Sequence, residues 1–320
     1  MERPDKILVC GASPDNRNRN MVLRNYVAEG FELLLGADAV VNTPLEHAAV
    51  KVSSFKPDAV VCFGSCMPDD ADYQSLRWEC DKQGIPMVFW LHDDPYEFDY
   101  HYKLQGVADI IFSNDRWSAE HYNHPRAFHL PLAASESAHK RDIQATEKHT
   151  NIFFCGVAFP NRARLLRDLA PTLSDCSAVI LGAEWPTDLG FCENRRLPNE
   201  VLSQYYNESW VTLNMGRDFN YANDRFKLDP STPGPRTFEA AMSGTTQAFF
   251  VESLEIMDYY RPGTEVLLYN SAVEFKQMME QMRDDRERCL QIAISSQQRT
   301  MTEHTYKHRA ETILMRLAEL

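Results

Sequence analysis

The chain is 320 residues long and acidic, with 46 Asp and Glu residues against 33 Lys and Arg residues and a formal net charge of -13. Hydrophobic residues make up 44% and charged residues 25%, which is ordinary for a globular protein, and the length predicts two domains. The acidic balance argues against general binding to the phosphate backbone of nucleic acids.

The cysteines and the N-terminus indicate where the protein works. None of the eight cysteines forms a CxxC pair, and only Cys62 and Cys66 lie close in sequence, so we expect reduced thiols and no metal site. The first residues run directly into a short apolar segment without a leader, and no apolar stretch is long enough to span a bilayer. We therefore expect a cytoplasmic protein.

Short apolar segments alternate with helical ones through the first half of the chain. The predicted strands are residues 7–11, 31–35, 58–64, 86–91, 109–113 and 127–130. The predicted helices are a segment ending at Glu29 and residues 43–54 and 70–83. Apolar runs without polar alternation are typical of strands that are buried on both faces of a parallel sheet, so this half predicts a series of βα units.

The same pattern returns after residues 133–150, a polar stretch without periodicity that we interpret as a linker. The predicted strands of the second half are 151–156, 178–182, 210–214, 246–251 and 265–269, and the predicted helices are 161–173, 199–207, a helix from 235 and most of 272–320.

The fold class that these elements predict is α/β, with two Rossmann-like parallel-sheet domains at 1–132 and 151–320. The last helix is a candidate for packing back on the first domain. Ligands bind at the carboxyl ends of such strands, so we expect the two domains to face a central cleft that holds the site.

Residues 233–244 (PGPRTFEAAMSG) have the composition of a helix start that carries an Arg and a Glu in its first turns. Pro235 suits the first helical position, and Arg236 and Glu239 are three apart, so they share one face near the helix end that favours anions. A guanidinium there can grip phosphate oxygens while the carboxylate accepts hydrogen bonds from sugar hydroxyls, which describes a nucleotide sugar. The alternative is a plain surface ion pair between the two side chains.

Five segments together resemble the GT-B glycosyltransferases and, within them, the CgeB-like spore-maturation group. The segments are residues 90–95 (WLHDDP), 154–162 (FCGVAFPNR), 213–214 (LN), 235–244 (PRTFEAAMSG) and 262–269 (PGTEVLLY). Each is short, but their order and spacing are fairly specific, and they cover the second half more fully than the first.

The resemblance implies an enzyme with two Rossmann-like domains that binds a nucleotide diphosphate sugar mainly on its C-terminal half. The donor would be a UDP-, GDP- or dTDP-sugar, and the acceptor, held by the N-terminal half, would be a glycan, a protein, a small molecule or a nucleobase. The resemblance also implies that no catalytic metal or cofactor is tightly bound, because protein cations and a helix terminus stabilise the leaving diphosphate.

The predicted donor-binding residues are Arg162, Asn214, Gly216, Arg236, Thr237, Glu239 and Glu265. Negative charge builds up on the leaving diphosphate, and Arg236 is the first candidate for stabilising it, with Arg162 the second. Each could instead pair with a surface carboxylate. The resemblance assigns Glu239 to the ribose hydroxyls. Many retaining relatives carry another Glu eight places earlier, but this chain has Ser231 there, with Asp229 nearby, which puts a retaining outcome in doubt.

The predicted catalytic residues are His92, Asp93 and Asp94, which follow an apolar strand. A His at this place can hydrogen-bond the donor sugar or move a proton, and a neighbouring Asp can act as a base toward an acceptor hydroxyl. One alternative is that the two Asp residues only cap the turn before Pro95. Another is a metal site, which the doubled Rossmann pattern suits poorly.

Two other functions remain open at this stage. One is a bilobal, non-catalytic module that binds a small molecule, and the other is a glycosyltransferase that acts on modified DNA bases, against which the acidic net charge counts. The loop at 215–232 has three open interpretations: a mobile lid, an acceptor contact or a solvated excursion.

Overall fold

The computed structural model describes residues 3–17, 21–68, 73–218 and 221–320, and these contain two six-stranded parallel sheets. They divide into two compact units. The first unit consists of the described residues within 1–133, 220–232 and 305–320, and the second of those within 134–219 and 233–304.

The first sheet has the strand order β2-β1-β3-β4-β5-β6. Its strands are β1 (Ile7–Gly11), β2 (Val40–Thr43), β3 (Ala59–Gly64), β4 (Met87–Leu91), β5 (Ile110–Ser113) and β6 (Ala127–His129). The helices of this unit are α1 (Met21–Leu35), α2 (Leu45–Phe55), α3 (Tyr73–Gln83), α4 (Arg116–His121) and α12 (Tyr306–Ala318), with 3-10 turns at Ala37–Ala39 and Phe98–Leu104.

The first sheet is buried on both faces, which explains its continuous apolar runs. Leu8 and Cys10 of β1 face the core that α2 and α3 cover, whereas Ile7 and Val9 face the core that α1 and α12 cover. All four side chains are fully buried. In a strand that is covered on both faces every side chain is buried, so polar and apolar residues do not alternate along it.

The last helix, α12, packs against α1 in the first unit. The two backbones meet at Gly30, where an added Cβ would lie 2.4 Å from the carbonyl oxygen of Tyr306. Any side chain at Gly30 would therefore push the helices apart, and glycine permits the close approach.

Residues 31–35, predicted to be a strand, instead form the last turns of α1, so that prediction is wrong. Phe31 is buried and Leu33 is 59% exposed, as expected for two sides of a helix. The second strand lies further on, at Val40–Thr43. A five-residue segment with four apolar side chains fits a strand and a half-buried helix turn equally well, and here the helix period of the preceding residues continues through it.

The second sheet has the strand order β12-β11-β10-β7-β8-β9. Its strands are β7 (Thr150–Val157), β8 (Ala178–Ala183), β9 (Cys192–Glu193), β10 (Ser209–Asn214), β11 (Thr246–Phe250) and β12 (Leu267–Tyr269). The helices of this unit are α5 (Glu136–His139), α6 (Pro160–Ser174), α7 (Asn199–Asn207), α8 (Pro235–Met242), α9 (Ile256–Tyr259), α10 (Ala272–Asp284) and α11 (Arg286–Glu303).

All pairs in the second sheet are parallel, so the carboxyl ends of β7, β10 and β11 meet at one edge. The loop into α6 leaves this edge directly after β7. Ligands of doubly wound sheets bind at this edge, which makes it the place to look for a site.

The segment 133–150, interpreted from sequence as a linker, contains the short helix α5. The Ser135 side chain caps the helix by accepting from the backbone N–H of Ala138, and His139 and Ile143 are buried in the second unit. In the first unit, residues 70–72 of the predicted helix 70–83 lie outside the described residues, and α3 covers the rest.

Candidate functional site

The start of α8 brings Arg236 and Glu239 together. Pro235 occupies the first helical position after Gly234, and the two charged side chains follow within the first turns. Nη1 of Arg236 lies 2.5 Å from Oε2 of Glu239, and Nη2 donates to Oδ1 of Asn199, the first residue of α7, at 3.0 Å. The Arg236 side chain is 45% exposed and that of Glu239 is 2% exposed. The buried carboxylate therefore anchors a guanidinium that is half open to solvent.

His139 lies behind this pair. Its Nε2 is 3.9 Å from Oε1 of Glu239, and its side chain is 4% exposed. Burial lowers the pKa of His139, because a charged imidazole would lose its hydration. Sequence reasoning missed this residue because the surrounding segment is polar and aperiodic; the Ser135 cap before it was the available signal.

Arg162 of α6 holds the loop that follows β10. Its Nε donates to the carbonyl of Gly216 at 2.8 Å, Nη1 to that of Val157 at 3.1 Å and Nη2 to that of Met215 at 3.0 Å. The guanidinium also lies over the rings of Phe154 and Phe159. These contacts fix the side chain of this predicted donor residue at the carboxyl edge of the sheet.

Gly216, another predicted donor residue, lies against Glu252. A Cβ at Gly216 would stand 1.8 Å from Oε2 of Glu252, so a larger residue cannot fit without movement. Asn161 donates to Oε1 of Glu252 at 3.1 Å, and burial raises the pKa of this carboxyl group. Asn161 and Glu252 were not predicted, although Asn161 precedes Arg162 in the same motif.

Asn214 and Thr237, both predicted donor residues, meet in a buried polar cluster with Gln247 of β11. Nδ2 of Asn214 donates to Oγ1 of Thr237 at 2.7 Å and to Oε1 of Gln247 at 2.9 Å. Thr237 and Gln247 are fully buried. This cluster ties the first turn of α8 to the end of β10.

Glu265, the last predicted donor residue, is also buried, at 9% exposure. Its Oε2 accepts from the backbone N–H of Arg261 at 2.8 Å, and its own N–H donates to the Arg261 carbonyl at 2.9 Å. These bonds close the turn that contains Gly263, where φ is +80°. The structure places Glu265 in that turn before β12.

In the first unit, the predicted catalytic residues follow β4 in a tight turn. Nδ1 of His92 lies 3.1 Å from Oδ2 of Asp93, and the His92 ring packs edge-on against Phe63 at 5.5 Å. Oδ2 of Asp94 accepts from Ser113 Oγ at 2.6 Å and from Tyr122 Oη at 2.8 Å. Asp94 is thus held by β5 and the end of α4, while Asp93 stays 19% exposed beside the imidazole.

Two carboxyl groups of this turn have raised pKa values. Burial is the main cause for both: it raises the pKa of Asp94 to about 6 and, with repulsion from Asp93, that of Glu97 to about 7. Glu97 is 7% exposed and accepts a short hydrogen bond from Ser65 at the end of β3. Sequence reasoning missed Glu97, which lies three residues beyond Asp94 and carries no strand signal of its own.

Residues 221–232 form a strap on the first unit. The Asp99 carboxylate accepts from the backbone N–H groups of Asp224 and Arg225, and the Asp115 carboxylate accepts from those of Ser231 and Thr232. The Phe226 ring packs edge-on against Phe98 and His101, each at 5.0 Å. The position eight places before Glu239, Ser231, is therefore buried against Asp115.

Two further observations concern the described parts of the chain only. No three His, Cys, Asp or Glu side chains among them come together as a metal ion would require. No helix within them has the length and apolar composition needed to cross a bilayer.

Comparison with known proteins places these features in a family context. Residues 162–315 match a family model described as glycosyl transferase-like. The chain is similar to the spore protein CgeB of Bacillus subtilis (strain 168), with 22% identity over 261 residues that cover 74% of this chain and 76% of CgeB.

Solved structures share the fold. HepE from Anabaena in complex with UDP and glucose matches with a TM-score of 0.60 and 10% identity, covering 98% of this chain and 100% of HepE. A glycosyltransferase from Rickettsia africae ESF-5 matches with a TM-score of 0.64 and 9% identity, covering 98% of each chain. The predicted resemblance to the CgeB-like group and the GT-B fold are therefore confirmed, and the family model over residues 162–315 and the structural neighbours support a glycosyltransferase.

Proposed function

We propose that the chain transfers a sugar, a hexose or a related one, from a nucleotide diphosphate sugar to an acceptor hydroxyl, and that the second unit binds the donor. The observation that carries this proposal is the Arg236 guanidinium at the start of α8. It is 45% exposed, and Glu239 and Asn199 fix its orientation. A fixed cation at a helix N-terminus suits a diphosphate.

The chemistry needs charge stabilisation at the leaving group. As the glycosyl phosphate bond breaks, negative charge builds on the diphosphate, and a pre-oriented guanidinium at the positive end of a helix stabilises it. We propose that these groups act without a tightly bound metal ion. Arg162, Asn214, Gly216, Thr237 and Glu265 complete the proposed donor site by shaping the loops around it.

Glu239 has two proposed roles. Its ion pair with Arg236 supports a role in orienting the guanidinium. Contact with the ribose hydroxyls, which the family resemblance implies, stays a prediction because the carboxylate is 2% exposed in the structure.

On the first unit, we propose that His92, Asp93 and Asp94 serve the reacting sugar and the acceptor. Asp93 is the most exposed of the three and lies beside the His92 imidazole, so these two can exchange a proton with a hydroxyl group. Asp94, bonded to Ser113 and Tyr122, holds the turn in place.

UDP-sugars are the first donors to test, because the structural neighbour HepE binds UDP and glucose. The proposed setting is the cytoplasm, where such donors are available. The acceptor class is left to experiment.

A thermal unfolding screen against UDP-, GDP- and dTDP-sugars tests the proposal. A ligand present at about 100 times its Kd adds about 2.7 kcal/mol to the free energy of unfolding, so the correct donor raises the unfolding temperature clearly. We expect one nucleotide class to do so and its sugar to be released slowly by hydrolysis. The absence of any shift across the panel would contradict the proposal.

A donor-hydrolysis assay, run beside the thermal unfolding screen, separates the alternatives. A bilobal binding module captures the ligand without turnover, and His92→Ala or Asp93→Ala then changes affinity alone. A transferase loses turnover in both variants while it keeps most of its donor affinity. An electrophoretic shift at low salt with duplex DNA tests the modified-base alternative, for which we expect no shift at the protein's net charge of -13.

A further inference from the structure

Asn199, the first residue of α7, has a side-chain amide whose orientation is fixed by Arg236. Its Oδ1 accepts from Nη2 of Arg236 at 3.0 Å. A guanidinium carries only hydrogen-bond donors, so the amide atom that faces it must be the oxygen, and the amide nitrogen takes the other position. Nδ2 and Oδ1 are bonded to the same carbon, and Nδ2 therefore also lies beside the guanidinium.

The Nδ2 group of Asn199 is not used to hold the fold together. It has no hydrogen-bond partner among the residues that the structure describes. Asn199 does not cap α7 either, because the N-cap residue is Pro198 and no side chain caps this helix. The amide is only partly buried, so its two N–H groups are available to a ligand.

Arg236 has further hydrogen-bond donors next to this amide. Of the five N–H groups of a guanidinium, one is paired with Glu239 and one with Asn199, and the others have no partner within the described parts of the chain. Asn199 and Arg236 each lie in the first turn of a helix, so their contact joins two positive helix ends. A group that binds here meets hydrogen-bond donors and positive potential, which suits an anion that accepts hydrogen bonds.

We infer that Asn199 is a further residue that binds the nucleotide sugar: its Nδ2 group donates a hydrogen bond to the diphosphate that Arg236 binds. This inference rests on the proposed function and adds to it a neutral hydrogen-bond donor from α7. Phosphate oxygens only accept hydrogen bonds, and a diphosphate carries several of them, so the amide and the guanidinium can hold the same group. A residue that served only to orient Arg236 would use Oδ1 and leave Nδ2 without a role.

The direct test follows the Asn199 side-chain amide signal in NMR spectra of the parent protein labelled with isotopically enriched asparagine. The signal is identified by its absence in Asn199→Asp, which keeps an oxygen to pair with Arg236. On addition of UDP-glucose we expect the signal to move downfield, as the protons of an N–H group do when it donates to an anion. An unmoved signal at a saturating concentration of UDP-glucose would overturn the inference.

Pyrophosphate is the probe for the anion alone. We expect it to displace UDP-glucose and to move the same amide signal in the same direction, because the inference assigns this amide to the diphosphate. A signal that moves with UDP-glucose but not with pyrophosphate would also overturn the inference, since the amide would then bind another part of the nucleotide sugar.

Calorimetric titration measures what this hydrogen bond contributes. We expect Asn199→Ala to bind UDP-glucose about 10-fold more weakly than the parent, as the loss of a hydrogen bond to a charged group gives. Asn270→Ala, at an exposed asparagine of the same unit, is the matched control and should bind like the parent. A folded Asn199→Ala protein with the affinity of the parent would refute the inference, whereas failure of UDP-glucose to bind the parent would contradict the proposed function instead.

Discussion

Gly216 and Glu252 are in contact with no room for another atom between them: a Cβ on the glycine would lie 1.8 Å from the carboxylate oxygen Oε2. Gly216 also offers its carbonyl to Arg162 at 2.8 Å. A Cβ at this one position therefore displaces the carboxylate, which is the far end of an exposed side chain.

Gly216→Ala should turn the flexible Glu252 side chain aside and break its hydrogen bond with Asn161, so we expect a loss of about 1 kcal/mol in the free energy of unfolding and weaker UDP-glucose binding. Thermal unfolding and calorimetry measure the two effects. Gly190→Ala is the control, because an added Cβ there meets nothing within 4 Å. Adding Glu252→Ala to Gly216→Ala should recover part of the lost stability. A Gly216→Ala protein as stable as Gly190→Ala would refute the steric explanation.

Asp115 joins the strap to α4. Its carboxylate caps α4 by accepting from the Ser118 N–H at 2.9 Å, and it accepts from the Ser231 N–H at 2.7 Å. Asp115→Ala removes a helix cap and the strap bonds together, so we expect a loss of about 2–3 kcal/mol in the free energy of unfolding.

Limited proteolysis checks where that loss acts. Cleavage within residues 221–232 should become faster in Asp115→Ala than in the parent. Glu120→Ala, an exposed position on α4, should leave cleavage unchanged. Equal cleavage rates in all three proteins would show that Asp115 does not hold the strap.

The raised pKa of Glu97, about 7, makes stability depend on pH. The folded protein holds this proton more tightly than the unfolded chain, so the group's contribution is full below the ordinary Glu pKa and is lost as the pH rises to about 7. At about pH 8 the parent must ionise a buried carboxyl group, and Glu97→Gln avoids this.

We therefore expect Glu97→Gln to be more stable than the parent by about 2 kcal/mol at about pH 8, with this advantage falling toward zero by about pH 5. Thermal unfolding at both pH values measures the difference. Glu46→Gln, an exposed site on α2, should show no such trend. A stability difference between Glu97→Gln and the parent that is the same at both pH values would contradict the raised pKa of Glu97.

Most sheet strands could be predicted from sequence because burial on both faces leaves an apolar run, as at Ala59–Gly64 and Met87–Leu91, but β2 and β9 were missed. The same signal failed at Phe31–Leu35, where a similarly short segment with four apolar side chains continues a helix. Five residues are too few for their periodicity to distinguish a strand from a helix, so only the packing around Phe31 shows which of the two forms.

The candidate site could be predicted in part. Arg236 and Glu239 were found because their spacing on a helix is fixed by its geometry. Their partners Asn199 and His139 come from distant segments, 37 and 100 residues earlier in the chain, and no local pattern marks them. Arg162 stays a predicted donor residue, and its hydrogen bonds to three backbone carbonyls could not be predicted because they join loops that are distant in sequence.

The central claim is that Arg236 binds the donor diphosphate, and calorimetric titration of UDP-glucose into Arg236→Ala tests it most directly. Arg283→Ala, an exposed arginine of α10 in the same unit, is the control, and unfolding temperatures establish that both variants are folded. We predict that Arg236→Ala weakens binding about 10- to 100-fold, the worth of a charge-assisted hydrogen-bond pair, while Arg283→Ala matches the parent. A folded Arg236→Ala protein that binds UDP-glucose as tightly as the parent would contradict the claim.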